Sequence, residues 1–249
     1  MSFGCRRCGP KVWWPMRTRI GVVILARMSS SRFPGKVIAP LGGIPVLEIL
    51  TRRLLQGGFT GEEIVVATSE HPSDDALAEF CAKKYINCYR GDLKNVLERF
   101  VNASRFYDFD FSFRVNADSP FVSVALLKHA MKECEDQPSV DVITNVRRRF
   151  WPYGIACELI NIRSAERLLA TVPEMRDGQP TGYREHITSA FYASHEDFNV
   201  VDLIPSDNVS DFTQSPALTV DEPEDVVRLE RLLAQCNSDP LTFTYENLV

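Results

Sequence analysis

The chain has 249 residues, of which 45% are hydrophobic, and its formal net charge is −5. This length and composition are typical of one substantial hydrophobic core, or of one domain that carries a large insertion. The negative charge gives no overall positive field for nucleic acid, so anionic substrates would be bound by local cations. No segment approaches the roughly 20 apolar residues of a membrane-spanning helix. We therefore expect neither nucleic acid nor a membrane as a partner.

The first 19 residues form an N-terminal extension that carries five basic residues and two tryptophans without a clear periodicity. It lacks the long apolar region of a signal peptide. We interpret it as non-native or disordered, with Met16 as an alternative start. The seven cysteines are scattered along the chain, and Cys5 and Cys8 form a CxxC with no second pair at zinc-site spacing. This pattern favours a reducing, cytoplasmic location.

Strands and helices alternate from residue 20 onward. The apolar run at 20–26, rich in β-branched residues, is typical of a strand that is buried on both faces of a parallel sheet. Pro45 begins a helix that ends at the Gly57-Gly58 pair. The other predicted strands are 64–68, 87–89, 111–115, 140–145, 155–162 and 217–220, and the other predicted helices are 72–84, 95–106, 122–135, 183–192 and 223–233.

This order of elements predicts a three-layer α/β domain with a mostly parallel sheet and right-handed crossovers. The alternation breaks down after Asn145. We therefore predict a single domain over 20–237 with an insertion at about 146–197, followed by a C-terminal tail at 238–249.

The loop at 27–36 follows the first strand and concentrates three cations, three serines and a Pro-Gly turn. Ligands of open α/β sheets bind beyond the carboxyl ends of the strands. Arg27, Arg32 and Lys36 can form charge-assisted hydrogen bonds with phosphate oxygens, and backbone N–H groups in a turn can add to such a site. The loop is not a Walker A motif. Its composition alone fits a phosphate-binding loop and a solvated surface loop about equally.

Residues 25–36 follow the pattern LARxxSxRxPGK, which resembles the signature of sugar-activating cytidylyltransferases. The resemblance is to the spore-coat polysaccharide cytidylyltransferase-like family, which is related to the CMP-Kdo and CMP-nonulosonate synthetases. Further segments that resemble the family's motifs follow in the same order, at 43–45 (GIP), 65–75 (VVATSEHPSDD), 89–92 (YRGD), 96–99 (VLER), 114–120 (RVNADSP), 184–188 (REHIT) and 220–225 (VDEPED). The chain departs from the family's usual residues at Ser29, Ile44, Ala117 and Ala156.

The resemblance implies a Rossmann-like nucleotidyltransferase fold of the GT-A type with an inserted segment for dimerisation and sugar binding. It implies an enzyme that uses CTP and Mg²⁺ to activate an acidic sugar, a 3-deoxy-ulosonic or nonulosonic acid, as its CMP derivative. Pyrophosphate is released, and the product serves surface polysaccharide or glycoconjugate synthesis. The hydroxyl of the sugar would attack the α-phosphate in line, with catalysis mainly from positioning and charge neutralisation.

The implied site comprises four groups of residues. The catalytic residues are Arg27, Lys36 and Asp118. The nucleotide-binding residues are Leu25, Ala26, Arg27, Ser30, Arg32, Lys36, Ala67, Thr68, Ser69, Arg90, Asn116 and Asp118. The substrate-binding residues are Glu158, Arg184, Glu185 and His186, and the metal ligands are Asp118 and Asp221.

Asp118 and Asp221 each follow a predicted strand, so both are expected at the carboxyl edge of the sheet. Mg²⁺ prefers oxygen ligands, typically one or two carboxylates with phosphates and water. From the residues alone, Asp118 fits a turn before Ser-Pro, and Asp221 fits an N-cap of the last helix. The metal role of both rests on the resemblance.

The aromatic cluster at 150–153 is expected to be either an exposed patch for a homodimer or packing inside the chain. Three other functions stay open. One is a nucleotidyltransferase that uses another nucleotide or a sugar phosphate. Another is a glycosyltransferase of the same fold, whose Asp-x-Asp metal motif has a counterpart at 108–110. The third is a non-enzymatic binding subunit.

Overall fold

The computed structural model describes residues 18–171, 175–176, 179–180, 182, 187–193, 196–205, 212 and 214–248. Its strands are β1 (Ile20–Leu25), β2 (Pro40–Leu41), β3 (Ile44–Pro45), β4 (Ile64–Ser69), β5 (Asn87–Gly91), β6 (Phe111–Asn116), β7 (Val142–Thr144), β8 (Glu158–Asn161), β9 (Met175–Arg176), β10 (Gln179–Pro180) and β11 (Val200–Asp202). Its helices are α1 (Val46–Gln56), α2 (Asp75–Lys83), α3 (Val96–Phe106), α4 (Val124–Asp136), α5 (Ile162–Thr171), α6 (Ile187–Ala193) and α7 (Pro223–Gln235). In the described part of the chain, no helix is both long and apolar enough to span a membrane.

Seven strands form one sheet in the order β11-β7-β8-β6-β1-β4-β5. The pairings β11–β7, β6–β1, β1–β4 and β4–β5 are parallel, whereas β8 runs antiparallel to both of its neighbours. The sheet is therefore mostly parallel, and the predicted fold class is confirmed.

Helices cover both faces of the sheet, because alternate residues of a strand point to opposite faces. Val22 and Ile24 of β1 pack into the cluster that holds the apolar faces of α1, α2, α4 and α7. Val23 and Leu25 pack into the opposite cluster, which contains residues of α3, α5 and α6. The continuous apolar run at 20–26 predicted this two-sided packing, and the three layers follow from it.

The segment at 217–220, predicted as a strand, is not part of a sheet. Its backbone bonds to loops instead: Leu218 N donates to Tyr153 O at 2.7 Å, and Val220 N donates to Asp118 O at 2.9 Å. The guanidinium of Arg228 on α7 donates to the carbonyl oxygens of Ala217 and Thr219. Both sides of β6 are already occupied by β1 and β8, so this apolar segment has no strand to pair with there.

The predicted strand at 155–162 is shorter in the structure, where β8 ends at Asn161 and helix α5 begins at the next residue. The side chain of Asn161 accepts hydrogen bonds from Arg163 N at 3.0 Å and Ser164 N at 3.4 Å. Such capping begins a helix, and the apolar periodicity alone did not reveal it. The short strand β11 was also missed. Of the helix predicted at 183–192, residues 183–186 lie outside the described residues.

Residues 238–248, predicted as a tail, pack against α1 and the core. Buried Arg53 donates to Pro240 O at 3.3 Å and Leu241 O at 3.0 Å. The fully buried ring of Phe243 lies 4.8 Å from that of Phe121, measured between centroids.

Candidate active site

The basic loop at 27–36 folds back on itself at the carboxyl end of β1. The carbonyl oxygen of Met28 accepts hydrogen bonds from the backbone N–H groups of Ser30 and Gly35, both at 2.9 Å. Gly35 has a φ of 75°, which favours glycine and allows the chain to turn before Lys36. Asp74 fixes the start of the loop, because its Oδ1 accepts from Met28 N at 2.7 Å.

Lys36 brings the two predicted metal ligands together. Its ammonium lies 2.7 Å from Oδ2 of Asp118 and 3.1 Å from Oδ1 of Asp221, and all three side chains are partly buried. Burial alone would lower the pKa of Lys36, but the charges and hydrogen bonds of Asp118 and Asp221 outweigh it and raise that pKa. Burial opposes ionisation of Asp221 as well, yet Lys36, Thr219 and Arg32 together hold the pKa of Asp221 below its usual value. The cluster therefore carries one ammonium and an ionised Asp221 at neutral pH.

A cavity of about 340 Å³ lies over this loop and the end of the sheet. Its walls contain most of the predicted nucleotide-binding residues, namely Leu25, Ala26, Arg27, Ser30, Arg32, Lys36, Asn116, Asp118 and the metal ligand Asp221. Arg32 also donates to Asp221 at 3.0 Å from an exposed position. The structure thus gathers residues from three distant parts of the sequence around one space.

Four predicted nucleotide-binding residues do not line this cavity. Ala67, Thr68 and Ser69 are fully buried in β4, and the Ser69 hydroxyl donates to the carboxylate of Asp74. Arg90 donates to Ser69 O at 2.9 Å and to Asp75 at 2.7 Å. Their contact with the nucleotide stays a prediction.

A second cavity, of about 440 Å³, adjoins the first. Arg114, Asn116, Asp118 and Asp221 line both cavities. The second cavity is also lined by Trp151, Thr188 and Tyr192, all from the predicted insertion, and by Asn145, which precedes it. Its volume is within the range of roughly 300–1,000 Å³ that is typical of small-molecule sites. The pair of carboxylates therefore lies where two ligand spaces meet.

Glu158 lies in the wall of the second cavity but is only 1% exposed. One oxygen accepts from Arg114 at 2.6 Å and the other from the Tyr192 hydroxyl at 2.7 Å. Both carboxylate oxygens of Glu158 therefore already accept hydrogen bonds from side chains of this chain. The other three predicted substrate-binding residues, Arg184, Glu185 and His186, lie outside the described residues.

Three arginines of these cavities, Arg99, Arg114 and Arg149, are not among the site residues predicted from the sequence. Arg99 of α3 is 3% exposed, lines the first cavity and donates to the carbonyl oxygens of Asp92 and Leu93. Arg114 lines both cavities. Its spacing was a usable signal, because Arg114, Asn116 and Asp118 alternate along one face of a strand and its extension.

The aromatic cluster at 150–153 is divided between the interior and the surface. Trp151 is 7% exposed and donates to the Tyr245 hydroxyl at 3.3 Å, whereas Tyr153 is 52% exposed. Trp151 thus packs inside the chain against the C-terminal segment while Tyr153 remains exposed, so each of the two expected alternatives holds for part of the cluster. The homodimer itself stays a prediction.

The Asp-x-Asp pair at 108–110 lies at the opposite edge of the sheet, before β6. Arg19 pairs with Asp108 at 2.7 Å, and its backbone N–H donates to Asp110 at 2.9 Å. This pair is remote from both cavities, so it gives no support to the glycosyltransferase alternative.

A three-layer α/β fold with a basic loop and paired aspartates beyond the carboxyl ends of its strands defines the class of nucleotidyltransferases. Residues 21–199 match the model of the family described as Cytidylyltransferase. The chain belongs to the cytidylyltransferase family and is a nucleotidyltransferase.

Two relatives and one solved structure are similar to the chain over most of its length. The spore coat polysaccharide biosynthesis protein SpsF of Bacillus subtilis is 31% identical over 222 residues, 88% of each chain. An uncharacterized protein of Methanocaldococcus jannaschii is 30% identical over 207 residues, which cover 82% of this chain and 78% of that protein. A solved cytidylyltransferase of Leptospira borgpetersenii superposes with a TM-score of 0.80 at 26% identity, covering 93% of this chain and 92% of that one.

Proposed function

We propose that the protein transfers the cytidylyl group of CTP to the hydroxyl of an acidic sugar, a 3-deoxy-ulosonic or nonulosonic acid, and releases pyrophosphate. The observation that carries this proposal is the position of Lys36, Asp118 and Asp221 at the junction of two cavities. The nucleotide would lie over the basic loop and the acceptor in the second cavity, so that the attacked phosphorus is next to the carboxylates.

Mg²⁺ fits the donor set at this junction. Two carboxylates that already share one ammonium provide hard oxygen ligands to a single position. Among the described residues, no group of three or more His, Cys, Asp or Glu side chains could hold a metal ion. Asp118 and Asp221 would therefore share the ion with phosphate oxygens and water, and the bound ion would neutralise phosphate charge. Arg27, Arg32 and Lys36 would bind the triphosphate beside it.

Cations in the second cavity favour an acidic acceptor. Arg114 lines this cavity, and so does Arg149, whose guanidinium carbon lies 5.1 Å from the ring centroid of Tyr153. A guanidinium can bind a carboxylate through two parallel hydrogen bonds. Arg114 already has Glu158 as its counter-charge, so the carboxylate of a sugar acid would pair with Arg149, and a neutral sugar would offer no such partner. For the product we infer a place in surface polysaccharide or glycoconjugate synthesis.

The proposal is tested by pyrophosphate release with CTP, Mg²⁺ and a panel of 3-deoxy-ulosonic, nonulosonic and neutral sugars. We expect turnover with one acid and CTP, and little with ATP, GTP or UTP. Lys36→Met and Asp118→Asn should each lower kcat/KM by about 100-fold or more, because each removes a charge beside the reacting phosphate. Lys83→Met, at a 76% exposed position on α2, is the matched control and should retain activity.

An active Lys36→Met or Asp118→Asn variant would refute the site. Turnover of neutral sugars alone would refute the acidic acceptor while leaving the nucleotidyl transfer intact.

A further inference from the structure

Arg114 lies at the boundary between the two cavities. We call the first the nucleotide cavity and the second the acceptor cavity, after the ligands that the proposed function assigns to them. It lies on β6 two residues before Asn116, which in turn lies two residues before Asp118. Because alternate strand residues share a face, all three side chains point toward the same junction. Of the described residues that line both cavities, Arg114 is the one cation.

The guanidinium of Arg114 is held by a carboxylate beneath it. Glu158 accepts from Nη1 of Arg114 at 2.6 Å, and the Arg114 side chain is 16% exposed. The antiparallel strand β8 provides this contact, because its register with β6 places residues 158 and 114 side by side. Nε of Arg114 is buried and has no hydrogen-bond partner among the described residues.

Tyr192 completes the support from α6. Its hydroxyl donates to Glu158 Oε1 at 2.7 Å and lies 2.9 Å from the hydroxyl of Thr144. Burial, and the nearby charge of Glu158, raise the pKa of Tyr192, so the phenol keeps its proton and remains a donor. A buried ion pair is costly to desolvate and adds little net stability. Because the Arg114–Glu158 pair adds little stability and lies where the two cavities meet, we interpret it as positioning the Arg114 guanidinium.

We propose that Arg114 binds the α-phosphate of CTP while the acceptor hydroxyl attacks it, and that Glu158 and Tyr192 position its guanidinium. This role rests on the proposed function. In the step, the acceptor oxygen forms a bond to the α-phosphorus, and the bond from that phosphorus to the oxygen bridging the β-phosphate breaks. Pyrophosphate leaves with the bonding electron pair, and the hydroxyl proton passes to solvent.

Arg114 differs in its task from the other cations. Lys36 already faces both aspartates, and Arg27 and Arg32 line the nucleotide cavity without reaching the acceptor cavity. These cations would therefore bind the negative charge that the triphosphate of CTP already carries before the reaction. Arg114 lies where negative charge moves during reaction, so its effect should appear in kcat more than in CTP affinity.

The test compares kcat and the CTP dissociation constant in Arg114→Gln, Arg114→Lys and Glu158→Gln, with Mg²⁺ and the acceptor found in the panel. Arg114→Gln should lower kcat by about 100- to 1,000-fold and change the CTP dissociation constant less than about threefold. Arg114→Lys should not restore the rate, because an ammonium lacks the planar fork. Glu158→Gln should lower kcat about tenfold, because it weakens one charge-assisted hydrogen bond.

Arg105→Gln is the matched control, because Arg105 pairs with Glu166 at 2.5 Å on the surface and is 65% exposed. It should leave both quantities unchanged. If Arg114→Gln does not fold, Glu158→Gln and Tyr192→Phe carry the test, and both should lower kcat without weakening CTP binding.

The proposal is overturned if these variants keep the wild-type kcat, or if Arg114→Gln weakens CTP binding and leaves kcat intact. A wild-type protein that binds CTP but transfers to no acceptor would remove the proposed function and the role of Arg114 together. Failure of the Arg114 role alone is distinguishable, because the wild-type protein then stays active.

Discussion

Asp74 is a fully buried acid that joins the ends of two parallel strands. It accepts from Met28 N at 2.7 Å beyond β1, and from the backbone N–H and the hydroxyl of Ser69 at the end of β4. Burial alone would raise the pKa of Asp74, but the hydrogen bonds from Ser69 and Met28 outweigh it and hold that pKa below its usual value. The ionised side chain thus fixes where the basic loop begins.

We expect Asp74→Asn to lower the free energy of unfolding by about 1.5–3 kcal/mol at pH 7, since it removes charge-assisted hydrogen bonds. The folded-state pKa of Asp74 is lowered. Its contribution is therefore complete above the unfolded-state pKa of about 3.9 and is lost as the pH falls through the folded-state pKa. Urea unfolding between pH 7 and pH 3 should show the difference between variant and wild type shrinking below about pH 4.

Asp75→Asn is the control for this measurement. Asp75 is the next residue, is 57% exposed and pairs with Arg90, so its loss should cost less than about 1 kcal/mol. A difference for Asp74→Asn that stays constant from pH 7 to pH 3 would contradict the account.

Sequence reasoning at the residue scale found Lys36, Asp118 and Asp221, and the structure places these three in contact. The local pattern singled them out, since Lys36 lies in a segment dense in charge and both aspartates follow apolar runs, but their functional role came from the family resemblance. Asp74, Arg99 and Arg114 were missed, because their roles depend on partners in other elements. No local pattern distinguishes a buried, bonded carboxylate from an exposed one.

At the scale of elements, Gly154 packs closely against the irregular segment at 217–220, which precedes Asp221. Its φ is +103°, and a Cβ atom there would lie 2.9 Å from the carbonyl carbon of Leu218. The neighbouring Tyr153 carbonyl accepts the hydrogen bond from Leu218 N. A glycine therefore lets the segment at 217–220 approach the backbone of the loop at residue 154 closely, at the wall of the second cavity.

Gly154→Ala should cost about 1–3 kcal/mol for its backbone conformation and about 1–3 kcal/mol more for the displaced backbone of Leu218. Gly43→Ala separates these two effects. Gly43 also has a positive φ, of +79°, but a Cβ atom there would contact nothing within 4 Å. Chemical denaturation should show a clearly larger loss for Gly154→Ala, and equal losses would rule out the close contact.

The regular elements were the easiest to predict. Strands β1 and β4 are continuous apolar runs, and α1, α3 and α4 show apolar stripes with capping residues, so their bounds fell within two residues of those observed. The segment at 217–220 has the same apolar character as a strand, but side-chain donors of Arg228 replace a neighbouring strand there. Pairing is a property of the surroundings, and the local sequence does not encode it.

On the scale of the whole molecule, the C-terminal segment packs against α1 and the core, and it also contacts the wall of the second cavity. Phe243 is fully buried against Phe121, and the Tyr245 hydroxyl accepts from Trp151 in the cavity wall. Without this segment Arg53 would lose two of its carbonyl partners, Pro240 and Leu241, and keep Val122. We therefore regard residues 238–248 as part of the folded unit.

Phe243→Ala should lower the free energy of unfolding by about 3–5 kcal/mol, as expected for a large buried ring that leaves a cavity. The control Phe106→Ala changes a ring that is 72% exposed, and we expect it to cost about 1 kcal/mol or less. Thermal and urea unfolding of both variants measure the contrast. Similar small losses in the two variants would show that the C-terminal segment is dispensable.

The layered architecture was predictable from the alternation of strands and helices, and so was the mostly parallel sheet. The antiparallel insertion of β8 was not, because strand direction depends on the path of residues 146–157. The apolar residues of that path follow no regular period.

The central position of β1 has a consequence for how the enzyme forms. The strand made first pairs with β4 and also with β6, which follows about 90 residues later, and Lys36 meets Asp221 only across 185 residues of chain. Closing such long loops costs chain entropy, and proteins with many contacts of this range fold slowly. During synthesis on the ribosome, the basic loop is made long before either aspartate, so a nascent chain holds bare cations without their carboxylates. Catalytic competence requires that both Asp221 and the C-terminal segment have left the exit tunnel, and refolding in solution should regain secondary structure earlier than activity.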